Sequence, residues 1–159
     1  MAGRPICLCS RSSTSAGPAK KRLWVINVRA GKELFHTLVA HGKASGTDVP
    51  LAFSNKDGSE MSILGSYCTA PITYTGKHEV SIKIPGLDPG LNTNAASRAV
   101  VIHRANCVRT DFVRAHGRLG RSQCPVLPVA QTAAIVRASR AEACCTQAGP
   151  RGPATARSG

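Results

Sequence analysis

Residues 79–90, EVSIKIPGLDPG, constrain the fold most tightly. Val80, Ile82 and Ile84 alternate with Glu79, Ser81 and Lys83, a period of two that belongs to a strand with one face in a core. The strand is expected to point its three aliphatic residues inward and Glu79, Ser81 and Lys83 outward. PGLDPG at 85–90 ends it with turn chemistry. A chain of 159 residues that is 42% hydrophobic can bury one domain core. Only 4% is aromatic, so that core must be built from Val, Ile, Leu and Ala.

Other segments repeat the β signal. Residues 23–28, LWVINV, form a strand with two largely apolar faces, Leu23, Val25 and Asn27 on one and Trp24, Ile26 and Val28 on the other. Burial on both sides is expected. RAGK at 29–32 turns the chain, and ELFHTLVA at 33–40 returns as the second arm of a hairpin. Residues 41–60 are rich in Gly, Ser, Asn and Asp and read as a long loop. MSILGSYCT at 61–69 reads as a strand kinked at glycine. RAVVI at 98–102 is a short buried strand that delivers His103 at its end.

Helical signals are few and late. Thr110 suits an N-cap, Asp111 the N-terminal dipole and Gly117 the residue after the last turn, which predicts a helix over 110–116. Pro128 suits the first position of a helix over 128–142, with Val129, Thr132, Ala133 and Val136 on its inner face. The class is mainly β. Residues 1–20 and 144–159 are rich in Ser, Gly, Pro, Ala and Arg without a period, and are expected to be irregular tails around a domain at 21–143. Without strands in those tails the sheet would have open edges.

The formal charge is +13. Residues 1–22 hold Arg4, Arg11, Lys20, Lys21 and Arg22 without an acid, and residues 137–159 hold four arginines against Glu142, so most of the excess lies in the flanks. Solvated tails are the expected reading. A nucleic-acid-binding protein is the rival that charge alone supports, but there is no recognition motif, aromatic interleaving or basic helix, and no nucleic-acid partner is expected. No run approaches the roughly 20 apolar residues of a membrane span, and no signal peptide is visible. The chain is expected to be a monomer.

Seven cysteines stand at 7, 9, 68, 107, 124, 144 and 145. The spacings C-x-C and C-C lack the C-x-x-C pairs and His-x-x-x-His of a zinc site, so no metal is expected. A disulfide framework is not expected either, because a core of this size needs no staples. Cys124, in GRLGRSQCPVLP at 117–128, is placed for other chemistry. Thiol catalysis needs a thiolate, a base and donors for an oxyanion. His103 lies 21 residues before Cys124 across one short helix, a length that lets the chain return to its side. Arg118 and Arg121 add positive charge that favours a thiolate. A buried structural cysteine and a satisfied structural histidine are the alternative.

The stretches KRLWVINVRAGKELFHTLVAHG (21–42), YTGKHEVSIKIPGL (74–87), SRAVVIH (97–103) and FVRAHGRLGRSQCPVLP (112–128) together resemble the murein L,D-transpeptidase catalytic domain in its YkuD-like branch. The resemblance covers about 21–138 with its segments in order. It implies a β-sandwich or barrel with two short helices, in an enzyme of the cell envelope (periplasmic or secreted). It implies cleavage of a peptidoglycan stem peptide before D-Ala through a cysteine thioester, with the acyl group passed to an amine or water and no cofactor. Carried over by residue, Cys124 matches the nucleophile, His103 the proton acceptor and Ser122 the Ser/Thr shortly before the cysteine. The backbone amides of Gln123 and Cys124 are the nearest oxyanion donors. Tyr74, Lys77, His78 and Arg121 are placed along the substrate groove. The family reads Ser-x-Gly-Cys where this chain reads Ser122-Gln123-Cys124, and it usually has glycine where Arg104 follows His103. A cation there would depress a histidine pKa. These departures define a second reading, a catalytically impaired relic that at most binds murein.

Overall fold

In the computed structural model, the described residues are 6–11 (as backbone), 19–71, 73–76, 79–140 and 143–149. The strands are β1 (Ile6–Arg11), β2 (Leu23–Asn27), β3 (Lys32–Thr37), β4 (Gly65–Cys68), β5 (Thr73–Gly76), β6 (Glu79–Lys83), β7 (Val101–Arg104), β8 (Val126–Leu127) and β9 (Cys144–Ala148). The helices are α1 (Thr110–His116) and α2 (Val129–Ala138), with one 3₁₀ turn at Thr93–Ala95. One sheet has the order β3-β2-β1-β9-β4 and the other β5-β6-β7-β8. The class is mainly β as expected, with no closed barrel among the described residues.

The hairpin forms where the sequence places it. Asn27 begins the turn, its Oδ1 accepting from the Ala30 N–H at 3.0 Å, and Gly31 takes φ 61°. Only one face of β2 is fully buried, however. Leu23 and Val25 enter the core, Trp24 stacks on His36 at 4.6 Å, and Val28 is 61% exposed. Position 28 lies beyond the strand, where no second layer covers it.

The two flanking segments differ from expectation. Ile6–Arg11 and Cys144–Ala148 are strands, and they pair in parallel with each other at the centre of the five-stranded sheet. Neither announces itself locally, because a short Cys/Ser/Thr run becomes a strand only when neighbours take up its backbone hydrogen bonds. Here β1 adds to β2 and β9 to β4, so the sheet edges lie at β3 and β4. Arg22, counted with the solvated charge of the tail, is buried and donates to the Asp48 carbonyl at 3.3 Å.

The aliphatic face is inward at Ile82 in β6 and at Ile84 just beyond it, with Val80 half-buried against the core, but Ser81 is buried as well. Its Oγ donates to the Glu79 carbonyl at 3.2 Å, which satisfies a small hydroxyl under a covered sheet. Helix α1 spans the predicted residues. Arg109 holds the N-cap position without a side-chain bond, and Gly117 closes the helix in the left-handed region at φ 70°. Helix α2 ends four residues short of expectation, with Pro128 at its N-cap position. Its buried stripe is Thr132, Ile135, Val136 and Ser139, so Ala133 faces outward. The i, i+3, i+4, i+7 stripe that includes the large Ile135 buries more apolar area than the one centred on Ala133. One core cluster gathers Val25, Tyr67, Ile82, Ile102, Leu127 and Ile135. A smaller one under α1 gathers Leu38, Ala40, Val108, Val113, Leu119 and Val126.

Candidate active site

The pairing of β7 with β8 positions the site. These strands run parallel, with His103 opposite Val126 and Arg104 opposite Leu127. Parallel neighbours need a crossover, and residues 105–125, with α1 inside them, supply it. Cys124 and Pro125 lead directly into β8, so the register carries Cys124 to the start of β7, by Val101, two residues before His103. The His103 N–H donates to the Pro125 carbonyl at 3.4 Å, and the Ala105 N–H to Leu127 at 3.1 Å. On its other side β8 is held by Ala40, whose N–H donates to the Val126 carbonyl at 2.9 Å.

The loop before Cys124 is shaped by close packing. A Cβ at Gly120 would collide with the Cys107 side chain, and the Gly120 N–H donates to the Cys107 carbonyl at 3.0 Å. Only glycine allows that approach. Ser122 N–H then donates to the His41 carbonyl at 3.4 Å. Arg121 donates through one Nη to the carbonyls of Lys43 (3.2 Å) and Gly46 (2.9 Å), which ties the Cys124 loop to the start of the long 41–60 loop. The guanidinium thus holds backbone.

His103 is 3% exposed. Its Nδ1 lies 3.0 Å from its neighbour's carbonyl, Arg104 O, and its Nε2 3.4 Å from Ser122 Oγ. A carbonyl only accepts, so Nδ1 carries a proton, and in the neutral ring Nε2 is then the acceptor nitrogen, facing Ser122. Ser122 Oγ in turn accepts the Cys124 N–H at 3.4 Å. One hydroxyl therefore joins the imidazole to the backbone of the cysteine. The cation after His103 is engaged: Arg104 forms an ion pair with Glu79 at the start of β6.

Two further residues enter from the segment before β7. The Cys124 thiol donates to the Ala99 carbonyl at 3.9 Å, and the Gln123 side-chain amide donates to the Arg98 carbonyl at 2.9 Å. Ala99 takes φ 51°, a left-handed backbone uncommon for a residue with a Cβ. Arg98 is 6% exposed and donates to the carbonyls of Ser54 (2.6 Å) and Met61 (2.8 Å), while its Nε has no hydrogen-bond partner. Burial pushes the Cys124 thiol pKa up, and a hydrogen bond from the Val101 backbone and the charge of Arg98 pull against that. The cation acting on the sulfur is therefore Arg98, where the sequence suggested Arg118 and Arg121. Burial likewise lowers the His41 pKa, against its hydrogen bond to the Gly42 carbonyl, and the charges of Arg22 and Arg121 lower it further.

The sequence-predicted residues are thus sorted by the fold. His103, Ser122, Gln123 and Cys124 come together, and Arg121 stands beside them as a loop tie. Tyr74 lies in β5 opposite Ser81, described as backbone only. Lys77 and His78 lie outside the described residues. Arg98, Ala99 and His41 were missed as site residues. Arg98 alone had a local signal, a charge at the head of an apolar strand. Among the described residues no cluster of three or more His, Cys, Asp or Glu could hold a metal ion, and no helix is long and apolar enough to cross a membrane.

Among curated proteins none matches the chain. A family model does: that of the L,D-transpeptidase catalytic domain, over residues 12–146. The match takes in β2 through β8 and the cysteine loop, and it extends past residue 21 into the segment before β2 and past 143 into β9. With that span, and with the histidine strand, serine and cysteine assembled as described, the chain belongs to the L,D-transpeptidase catalytic domain family.

Proposed function

We propose that the protein is a cysteine acyltransferase acting on peptidoglycan stem peptides in the cell envelope, with Cys124 as nucleophile and His103 as base. The observation that carries this reading is the pair of contacts at the His103 ring, Nδ1 to the Arg104 carbonyl at 3.0 Å and Nε2 to Ser122 Oγ at 3.4 Å. With Nδ1–H donated to that carbonyl, the neutral ring carries its lone pair on Nε2, toward the Ser122–Cys124 turn, which is the arrangement a general base requires.

In the reaction the thiol leaves the Ala99 carbonyl and gives its proton to His103 Nε2. The thiolate attacks the donor carbonyl carbon ahead of D-Ala. The backbone amides of Gln123 and Cys124 receive the oxyanion, the latter by exchanging its long bond to Ser122 Oγ. Collapse breaks the C–N bond, His103 protonates the departing D-Ala amine, and a thioester remains on Cys124. An acceptor amine or water then attacks, His103 takes its proton, and Cys124 is released as thiolate or thiol. Ser122 orients the ring and is a positioning residue.

The raised thiol pKa sets a requirement. Burial leaves little thiolate at neutral pH, so the proton must move to His103 as the substrate arrives. The same burial, with the thiol turned to Ala99, favours the relic reading if no base reaches it. Release of D-Ala from a stem tetrapeptide, with and without an amine acceptor, tests the proposal. Release that depends on Cys124 supports it. A folded protein that releases none contradicts it.

A further inference from the structure

We infer that Cys68 and Cys144 form a cross-strand disulfide site, outside the acyl-transfer machinery. The two residues are 76 positions apart in sequence and directly opposite in the antiparallel pair β4–β9. The backbone hydrogen bonds around them identify the kind of pair. The Thr69 N–H donates to the Ala143 carbonyl at 3.0 Å, one residue beyond Cys68 and one before Cys144, while the Cys68 N–H points away to Pro85 at 3.1 Å. Cys68 and Cys144 are therefore a non-hydrogen-bonded pair, the closer of the two antiparallel types, with Cα atoms about 4.5 Å apart. That lies within the roughly 4.4–6.8 Å window that a disulfide spans. Side chains of directly opposed residues share one face of the sheet.

The neighbouring cysteines are worse partners. Cys145 follows Cys144 in the strand and points to the opposite face, Cys144 being exposed and Cys145 buried. Cys7 is in register with Cys144 across the parallel β1–β9 pair, where the slanted bonding offers no close, non-hydrogen-bonded pairing. Cys144 is the accessible thiol and Cys68 the half-buried one. The co-reactant is a low-molecular-weight disulfide. The Cys144 thiolate attacks one of its sulfurs, releasing one small thiol and leaving a mixed disulfide. The Cys68 thiolate then attacks Cys144 Sγ and releases the second small thiol. Two protein thiols are oxidised, one small disulfide is reduced, and the two protons end on the two released thiols. The bond would close a loop containing β5 to β8 and both helices, with His103 and Cys124 inside it.

The test equilibrates the full chain with oxidised and reduced glutathione, blocks remaining thiols by alkylation, and maps peptides by mass spectrometry without reduction. The expected result is a Cys68–Cys144 cross-linked peptide and a Tm raised by roughly 5–10 °C, reversed by dithiothreitol. Cys144→Ser, an exposed and isosteric change, is expected to remove both effects. A glutathione adduct that persists on Cys144 with Cys68 alkylated would overturn the inference. So would a Cys144 bond to Cys7 or Cys145, or a Tm shift that survives in Cys144→Ser. Activity is not a readout, so the outcome is independent of the acyltransferase reading.

Discussion

Ser122 Oγ stands between His103 Nε2 and the Cys124 amide, 3.4 Å from each. The imidazole and the cysteine's backbone are thus linked through one hydroxyl. The link sets the ring plane of His103 and the orientation of the Cys124 peptide at once.

Ser122→Ala removes both contacts and leaves the fold intact. Each is a long hydrogen bond, so stability is expected to change by about 1 kcal/mol or less. Turnover is expected to fall about 10-fold, because the ring and the amide lose their common support. Steady-state D-Ala release and a thermal melt, taken together, check this. A variant that loses stability and keeps its rate would assign Ser122 to the fold alone.

The buried thiol makes a pH-dependent claim. Burial raises the folded pKa of Cys124. Alkylation of Cys124 by iodoacetamide is therefore expected to keep accelerating above pH 8.5, where an ordinary thiol begins to level off. The folded thiol holds its proton more tightly than the unfolded one. Stability from this group is thus full below about pH 8.5, declines as pH rises and only the unfolded thiol ionises, and levels off once the folded thiol ionises too. Denaturant unfolding of wild type and Cys124→Ala between pH 7 and 10 isolates it: the variant is expected to lack that decline.

Gly120 has no room for a side chain. Gly120→Ala drives a Cβ into Cys107 and must displace the loop that ends at Cys124. A loss of about 1–3 kcal/mol is expected, with a fall in turnover larger than Ser122→Ala gives. Urea titration and D-Ala release measure the two. A neutral result would mean that the loop is not packed as described.

Insertion of glycine between Gln123 and Cys124 separates the acyltransferase from the relic. In the native chain Gln123 and Cys124 dock on the consecutive carbonyls of Arg98 and Ala99. An extra residue uncouples them. The expected outcome is that the native chain already turns over and the insertion alters its rate by less than about 10-fold, given flanking contacts that a loop can re-form. Activity present only after insertion would establish the relic.

Part of this arrangement is legible in the sequence. The hairpin that turns at 29–32 and Gly117 after α1 are local signals, and the structure places them where local physics puts them, while EVSIKI keeps Ile82 and Ile84 inward but buries Ser81 as well. The spacing from His103 to Cys124 is legible as a length that lets the chain return, but the parallel strand β8 on which it returns has no local signal. What is not legible depends on distant partners. Strands β1 and β9 exist by virtue of each other and of β2 and β4, and nothing in ICLCSR or CCTQA declares it. The acceptors for Cys124 and Gln123 are backbone carbonyls of Arg98 and Ala99, and a carbonyl has no sequence signature. The inner face of α2 was shifted because Ala133 and Ile135 are both apolar and only size decides between them.

The most direct test of the central claim is mass spectrometry of the intact, folded protein after incubation at neutral pH with a stem tetrapeptide or a carbapenem, followed by peptide mapping. The expected result is a covalent acyl adduct on Cys124, absent in Cys124→Ser and slowed about 10²-fold or more in His103→Gln. No adduct on Cys124 in a protein shown to be folded, or an adduct on another cysteine that persists in Cys124→Ser, would contradict it.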